Sequence, residues 1–386
     1  MSNSQHPTRI AMYCSSISWG GLEMNVVRYA KAILAIGDQN VIIYAVPDSP
    51  VWNAANEQGI PVKPTRRGRK YFDWLRAYRV AKQFRRDQIT TCIFRDTHDM
   101  DTLVRAKRIS LHTFHLVYHQ AMQLGVSKKD FLHTRRFLGI DAWIALLPYL
   151  KVQVSEMTHF PADRVHIVPL GIDPTRLRCE ENLRREARAH FGIAEDAFVV
   201  GLMGRLDPLK GQHIAIESLV QLRRKGVEAQ LLLMGDATLH EGNAYHQRIE
   251  QWIQTHQLHD AVTLVPGQVD VALFYHAIDV FALCSVGETF GNVTIEAMAM
   301  GLPIIGTNSS GTPEILDHGQ CGALIPPHDA DVLAEVIQRL KGDQSLRTRL
   351  GNRAKERFNE NYTLQQSVVQ LMQVIHEVEH AKQARG

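Results

Sequence analysis

An α/β fold of two doubly wound, Rossmann-like domains is what this sequence predicts, on three observations. Runs of about four to eight β-branched and aliphatic residues alternate with amphipathic stretches, the pattern of parallel strands buried on both faces. The rhythm pauses once, between about Gly171 and Asp196, and then restarts. The 386 residues also suit two or three domains at roughly 150 residues each.

The first series opens with Arg9–Ser15, followed by a helical pattern from about Leu22 to Ile36 that Gly37 closes. Its further strand candidates are Asn40–Val46, Thr91–Arg95, Phe114–His119, Ala142–Leu147 and Val165–Val168. The pause holds Asp173-Pro174 and the charged run Glu180–Arg188. The second series runs Phe198–Met203, Ala229–Met234, Val262–Val265, Val280–Leu283, Pro303–Gly306 and Gly322–Ile325. Two such series separated by a polar interval predict two domains with a cleft between them. Leu364, Val368, Leu371, Met372, Ile375 and Val378 then share one face of a last helix.

Composition removes several function classes. Hydrophobic residues at 45% and charged residues at 22% exclude a largely disordered chain. A net charge of +3 argues against wholesale coating of nucleic acid and leaves room for a local basic patch. The cysteines, Cys14, Cys92, Cys179, Cys284 and Cys321, are far apart with no CxxC pair. That spacing speaks against a disulfide framework or a cysteine zinc site and fits a reducing cytosol. Met1–Pro7 has no apolar core of signal-peptide length. The most apolar long window, Val269–Gly287, contains Asp270, His276 and Asp279, so it does not read as a membrane span.

The segment richest in chemistry is Ser285–Gly301, SVGETFGNVTIEAMAMG, which starts where the run Val280–Leu283 ends. Ligands of open α/β sheets bind at such strand ends. Gly287 and Gly291 bracket Glu288, Thr289 and Phe290, and small residues let backbone amides approach an anion. From about Asn292 the pattern is helical, with Val293, Ala297 and Met300 facing inward, and a helix N-terminus offers free donors to a phosphate. Glu288 and Glu296 stand eight positions apart, where both can reach one ligand. Taken alone, Glu288 could equally be a solvated loop residue and Glu296 a capping carboxylate. A second segment, Val199–Gly211 (VVGLMGRLDPLKG), ends a strand, turns at Gly204 and carries Arg205 and Lys210 before a helix near Gly211. Two cations at such a junction suit a diphosphate, Arg as a planar fork and Lys as a point charge. They could also be plain surface charges. The spacing is neither a P-loop nor GxGxxG.

GRLDPLKG, ETFGNVTIEAMAMGLPIIGT and SSGTPEIL together resemble retaining, nucleotide-sugar-dependent glycosyltransferases of family 4, the "glycosyl transferases group 1". Ser18–Glu23 (SWGGLE) is similar to that family's first glycine-rich loop, and Val168–Asp173 (VPLGID) to its interdomain crossover. The resemblance is strongest over Phe198–Pro327. It implies the GT-B fold: an acceptor-side domain over 1–170, a crossover over 171–196, a nucleotide-sugar domain over 197–361, and a helix over 362–386 returning to the first domain.

The resemblance also assigns roles. Arg205 and Lys210 would hold the donor diphosphate and stabilise it as it leaves. Glu288 would contact the transferred sugar and Glu296 the ribose hydroxyls. Backbone at Phe290, Gly291, Asn292 and Val293 would touch sugar and phosphate, and Gly20, Gly21 and Gly204 would let backbone near the diphosphate. The base would lie against backbone near Gly267–Val269. His119 matches the family's active-site histidine, although Gln120 stands where the family often has Asp. Glu288, His119, Arg205 and Lys210 are thus the catalytic candidates, with no metal and no cofactor beyond the nucleotide diphosphate sugar. Asp99-Met100-Asp101 offers a superficial carboxylate cluster, and Asp99 or Asp101 reads as a helix N-cap.

Arg66–Arg86 (RRGRKYFDWLRAYRVAKQFRR) sets nine basic residues against Asp73, with Tyr71, Trp74, Leu75, Tyr78 and Ala81 at helical spacing. Such a helix can rest on an anionic membrane surface or bury its apolar face in the core with Arg stems outside. Lys128, Lys129, Arg135 and Arg136 add a second cluster. The expected protein is a hexosyltransferase in the cytoplasm, at the inner face of the plasma membrane if that stretch docks. It would use a UDP-sugar rather than GDP-mannose, and a saccharide or lipid-linked saccharide acceptor of the cell envelope, with no nucleic-acid partner. The rival readings are a non-catalytic sugar-nucleotide binding module and a dinucleotide oxidoreductase, for which Ser15–Glu23 supplies only Gly20-Gly21.

Overall fold

The computed structural model of the chain describes residues 8–37, 40–112, 114–178, 183–236 and 244–383. Met1–Pro7, Cys179 and residues 180–182 of the charged run lie outside the described residues. The chain divides into two units. One runs to Gly171 and resumes at Leu364, and the other is Ile172–Thr363.

In the first unit, β1 (Arg9–Cys14), α1 (Gly21–Ala35), β2 (Asn40–Ala45), α2 (Pro50–Glu57), β3 (Val62–Pro64), α3 (Trp74–Arg86) and β4 (Thr91–Phe94) come first. They are followed by α4 (Thr97–Ile109), β5 (His115–His119), α5 (Phe131–Phe137), β6 (Ala142–Ala145), α6 (Pro148–Met157) and β7 (Val165–Ile167). All pairings are parallel, in the order β3-β2-β1-β4-β5-β6-β7. Strands β1, β4, β5 and β6 are almost wholly buried, as apolar runs covered by helices on both faces must be. The strand β3 escapes a sequence reading. It is three residues long, pairs only with β2 at the sheet edge and ends in Pro64, which cannot donate to a ladder.

The second unit contains α7 (Leu183–His190), β8 (Val199–Met203), α8 (Gln212–Arg224), β9 (Gln230–Met234), α9 (Ala244–Thr255), β10 (Val262–Val265), α10 (Val271–Ala277) and β11 (Val280–Leu283). Then come α11 (Asn292–Ala299), β12 (Ile304–Thr307), α12 (Thr312–Ile315), β13 (Ala323–Ile325), α13 (Ala330–Gly342) and α14 (Gln344–Asn361). Its parallel sheet runs β10-β9-β8-β11-β12-β13 over a core that includes Leu202, Ile216, Leu219, Leu231 and Leu333. The stretch after Gly171 is not a bare linker. Helix α7 packs on α10, and Arg188 on it is buried, paired with Asp279 at 2.9 Å and donating to the carbonyls of Ala194, Glu195 and Ala197.

The chain re-enters the first unit through α15 (Leu364–Gln383), which buries Val368, Leu371, Met372 and Ile375. Polar ties hold it there: the Tyr29 hydroxyl lies 2.6 Å from Ser367 Oγ, and Thr8 and Thr91 donate to Glu379 at 2.9 and 2.7 Å. The four described cysteines are free thiols and buried.

Candidate active site

In each unit the strand order reverses direction at one point, between β1 and β4 in the first and between β8 and β11 in the second. Ligands of doubly wound sheets bind outside the strand carboxyl ends at such points. The second unit places nearly all the candidate donor residues there.

On one side, β8 ends at Met203 and the Gly204 amide donates to Met234 O at 2.9 Å. Asp207 caps the 3₁₀ turn Pro208–Lys210 by accepting from the Leu209 amide at 2.8 Å. Gly211 then starts α8 with φ +72°. A Cβ there would sit 2.5 Å from Cys284 O, so no other residue lets the turn close against the β11 end. Arg205 reaches into solvent with its side chain 64% exposed and only a 3.9 Å approach to Asp207, so the fork can swing onto a ligand. Lys210 is held differently. Its Nζ lies 2.6 Å from Glu288 Oε2 on the opposite side.

That opposite side is the loop from β11 to α11. Gly291, at φ +73°, precedes α11, and no side chain caps the helix. Its first amides and dipole end are therefore available to an anion. Phe290 is buried, edge-on to Tyr362 with ring centroids 5.9 Å apart, and fixes the loop beneath these amides. Asn292 and Val293 are half-buried. The inward face expected of Val293, Ala297 and Met300 is not how α11 packs. Thr294–Ala299 are all buried, because the helix lies within the unit rather than on it, while Val293 and Met300 are partly open.

Glu296 sits one turn inside α11, so it is no capping residue. It is buried, accepts from the Tyr275 hydroxyl at 3.0 Å and lies 3.8 Å from Arg176. Burial, and after it the Glu296 charge, push the Tyr275 hydroxyl well above the usual tyrosine range, so it stays a donor. Glu288 is likewise not a solvated loop residue, being tied to Lys210. Beside them, Gly267 donates its amide to Asp236 Oδ1 at 3.0 Å. Leu206, Leu264, Val265 and Pro266 wall a neighbouring hollow of about 250 Å³ at the β8–β10 ends.

In the first unit, Gly20 and Gly21 open α1, which also has no side-chain cap. His119 ends β5, buried to 1% exposure with its ring edge-on to Tyr29. Gln120, which stands where the family often has Asp, gives His119 no support, being spent on Trp143 and the Met122 carbonyl at 3.0 and 2.9 Å. What touches His119 is Arg95, whose Nη1 is 2.8 Å from His119 Nδ1. Burial, with the Arg95 charge behind it, holds the imidazole well below its usual pKa, so it is neutral. Since guanidinium only donates, the nitrogen facing it must accept. Among the described residues no carboxylate pairs with Arg95, and its Nε has no partner.

The N-cap expected of Asp99 or Asp101 is Asp96, which accepts from the His98 amide at 2.8 Å. Asp99 is instead fully buried. It takes the Arg76 guanidinium at 2.6 Å and holds Ser15, the first residue after β1, through Oγ and the amide. Asp101 accepts from the Phe72 amide and from Arg105.

Residues 184–357 match the family described as Glycosyl transferases group 1. Among curated relatives, a D-inositol 3-phosphate glycosyltransferase from Pseudarthrobacter chlorophenolicus is 27% identical over 63% of this chain and 59% of its own length. The capsular polysaccharide biosynthesis glycosyltransferase CapM of Staphylococcus aureus is 30% identical over 48% of this chain and 47% of its own. The chain thus spans about half of the length of these relatives. Among solved structures, Anabaena HepE in complex with UDP matches at TM-score 0.82 and 21% identity, over 96% of this chain and 100% of that one. A glycosyltransferase from Rickettsia africae matches at 0.85 and 16%, over 97% and 99%. These likenesses show the fold, which is that of the GT-B glycosyltransferases.

Within residues 184–357, Arg205, Lys210, Glu288, Glu296 and the start of α11 lie at one switch point. Tyr275 and Arg176, which meet Glu296, were not singled out from sequence, nor was Arg95. A signal for Arg95 existed: it follows β4 as His119 ends β5, and the register Phe94 to Tyr118 makes the two neighbours.

Proposed function

We propose that the protein is a retaining, metal-independent glycosyltransferase of family 4. It would move a hexosyl unit from a UDP-sugar to a saccharide or lipid-linked saccharide of the cell envelope. The observation that carries this reading is the Lys210–Glu288 pair. One cation and one carboxylate, 2.6 Å apart, face each other at the switch point, with the exposed Arg205 and an uncapped helix start on the same two loops. A diphosphate arriving there recruits Lys210, Arg205 and the α11 amides, and its recruitment of Lys210 frees Glu288 to accept from a sugar hydroxyl.

The chemistry is a front-face displacement. The bond from the anomeric carbon to the diphosphate oxygen breaks, and the acceptor oxygen bonds that carbon from the same side. The acceptor proton passes to the departing diphosphate oxygen, so no separate protein base is needed. Arg205, Lys210 and the helix dipole act where negative charge grows. Glu288 holds ring orientation and faces the positive charge developing on the sugar. Glu296, steadied by Tyr275, accepts from the ribose hydroxyls, and the base lies in the hollow beside Gly267. His119, neutral and braced by Arg95, is the candidate that the first unit offers to the reaction. The carboxylates of Asp99 and Asp101 are taken up by Arg76, Ser15 and Arg105, which supports a reaction without a metal held there. UDP as the nucleotide is supported by the structural likeness to HepE, solved with UDP and with UDP-glucose. A lipid-linked acceptor would bring the protein to the inner face of the plasma membrane, in the cytoplasm.

A thermal-shift screen of nucleotide diphosphate sugars tests this reading. A donor at 100 times its Kd adds roughly 2.7 kcal/mol of apparent stability. UDP-hexoses are expected to raise the melting temperature most, and labelled hexose from the best binder should appear on a saccharide acceptor. No shift with any nucleotide diphosphate sugar would contradict the proposal.

A further inference from the structure

Helix α3 has two apolar faces, and the core uses only one. Ala77, Val80, Ala81 and Phe84 are buried, Phe84 against the rings of Tyr13, Tyr44 and Phe114. Trp74, Leu75 and Tyr78, on the other side, are 53–60% exposed. Trp74, Leu75 and Tyr78 therefore point away from the core that Phe84 enters. No helix among the described residues is long and apolar enough to cross a membrane.

The exposed face does not end with α3. Phe131 and Leu132 on α5 are 73% and 62% exposed. The two segments are joined. The Arg136 guanidinium lies 5.4 Å from the Tyr71 ring, and Arg108 of α4 donates to the Arg135 carbonyl at 2.8 Å. Arg105 of α4 stacks over Phe72 and Trp74 at 4.8 and 4.3 Å, so it anchors the aromatics without covering them. Arg66, Arg67, Arg69, Lys70, Arg79 and Lys82 are exposed around this surface. The one carboxylate in the stretch, Asp73, is spent capping α3 and binding the Arg69 amide.

We propose that this composite face of α3, α5 and the loop before α3 docks on an anionic lipid bilayer. The charge suits acidic headgroups, and Trp and Tyr suit the boundary between headgroup and acyl chain. Leu75, Phe131 and Leu132 favour a lipid over a nucleic acid, which has no apolar layer to receive aliphatic side chains. The inference deepens the lipid-linked acceptor reading and rests on it for its purpose, whereas its test does not involve transfer.

Flotation of the full chain with vesicles tests it, comparing phosphatidylcholine alone with equal parts phosphatidylglycerol and phosphatidylcholine. Binding is expected only to the anionic vesicles and should weaken as salt rises past 0.1 M, where screening acts over about 10 Å. Arg79→Ser with Lys82→Ser should weaken it roughly 25-fold, about fivefold per charge. Leu75→Ser with Phe131→Ser, both at exposed positions, should weaken it at least about tenfold while UDP binding in solution stays as in wild type. Tryptophan emission should shift to the blue on binding, and Trp74→Phe should abolish the shift. Equal affinity for both vesicle types, no binding at low salt, or tighter binding to single-stranded RNA than to anionic vesicles would overturn the proposal. Loss of UDP binding with vesicle binding intact would sink the glycosyltransferase reading alone.

Discussion

Replacing Glu288 with Gln keeps the shape of the side chain and removes its charge. In the resting protein that charge holds Lys210 at 2.6 Å, in a pair whose side chains are 26% and 18% exposed. Donor affinity should then feel two opposed effects. Lys210 no longer has to leave an ion pair, a gain on the order of 1 kcal/mol for a partly solvated pair. The sugar hydroxyl loses a charged acceptor for a neutral one, a loss of about 1 kcal/mol. They nearly cancel, so the donor Kd should change by less than about tenfold, or 1.4 kcal/mol. The transition state gains nothing in return. There the sugar carries positive charge and the carboxylate facing it is missing, which should cost about 3 kcal/mol, or about 10²-fold in kcat. Titration calorimetry with the donor gives Kd and a steady-state transfer assay gives kcat. Unchanged kcat with a Kd weakened more than tenfold would refute the reasoning, because Glu288 would then be a ground-state binding residue only.

An α-linked donor should give an α-linked product, read from the anomeric proton by NMR, and a β-linked product would remove the retaining assignment. Gly211→Ala should lower stability by about 1–3 kcal/mol, since the position needs φ +72° and a Cβ would meet Cys284 O at 2.5 Å; an unchanged denaturation midpoint would contradict this. His119 is buried neutral, its folded pKa well below an unfolded value near 6.5. Its contribution is full above about pH 6.5 and lost as the pH falls, because only the unfolded chain takes up the proton. His119→Gln should therefore flatten the fall in stability between about pH 7 and pH 5, leaving the share of His166 and His213, which shift the same way, and an unaltered slope would disprove it.

Every strand but β3 was legible because it carries an apolar run bounded by turn residues, and the candidate cluster stood out because Arg205, Lys210, Glu288 and Glu296 lie within two short segments. What escaped depends on register and on competition between faces. Arg95 meets His119 only through the alignment of β4 with β5. The apolar face of α3 was read from Tyr71, Trp74, Leu75, Tyr78 and Ala81, whereas the core beside Tyr13 and Tyr44 accepts Phe84, Val80, Ala77 and Ala81 and leaves Trp74, Leu75 and Tyr78 outside. Asp99 looked like a cap because Asp residues near helix starts usually are. The Ser15 and Arg76 donors that bury it come from the loop after β1 and from α3, far away in sequence.

The diphosphate clamp is the centre of the account, and calorimetric titration of UDP in excess EDTA tests it most directly. Wild-type protein should bind one UDP per chain without a metal. Arg205→Ala and Lys210→Ala should each weaken binding by about ten- to a hundredfold, the worth of one charge-assisted contact of roughly 1.5–3 kcal/mol. Binding that requires Mg²⁺ or Mn²⁺, or equal affinity in wild type and both variants, would contradict it.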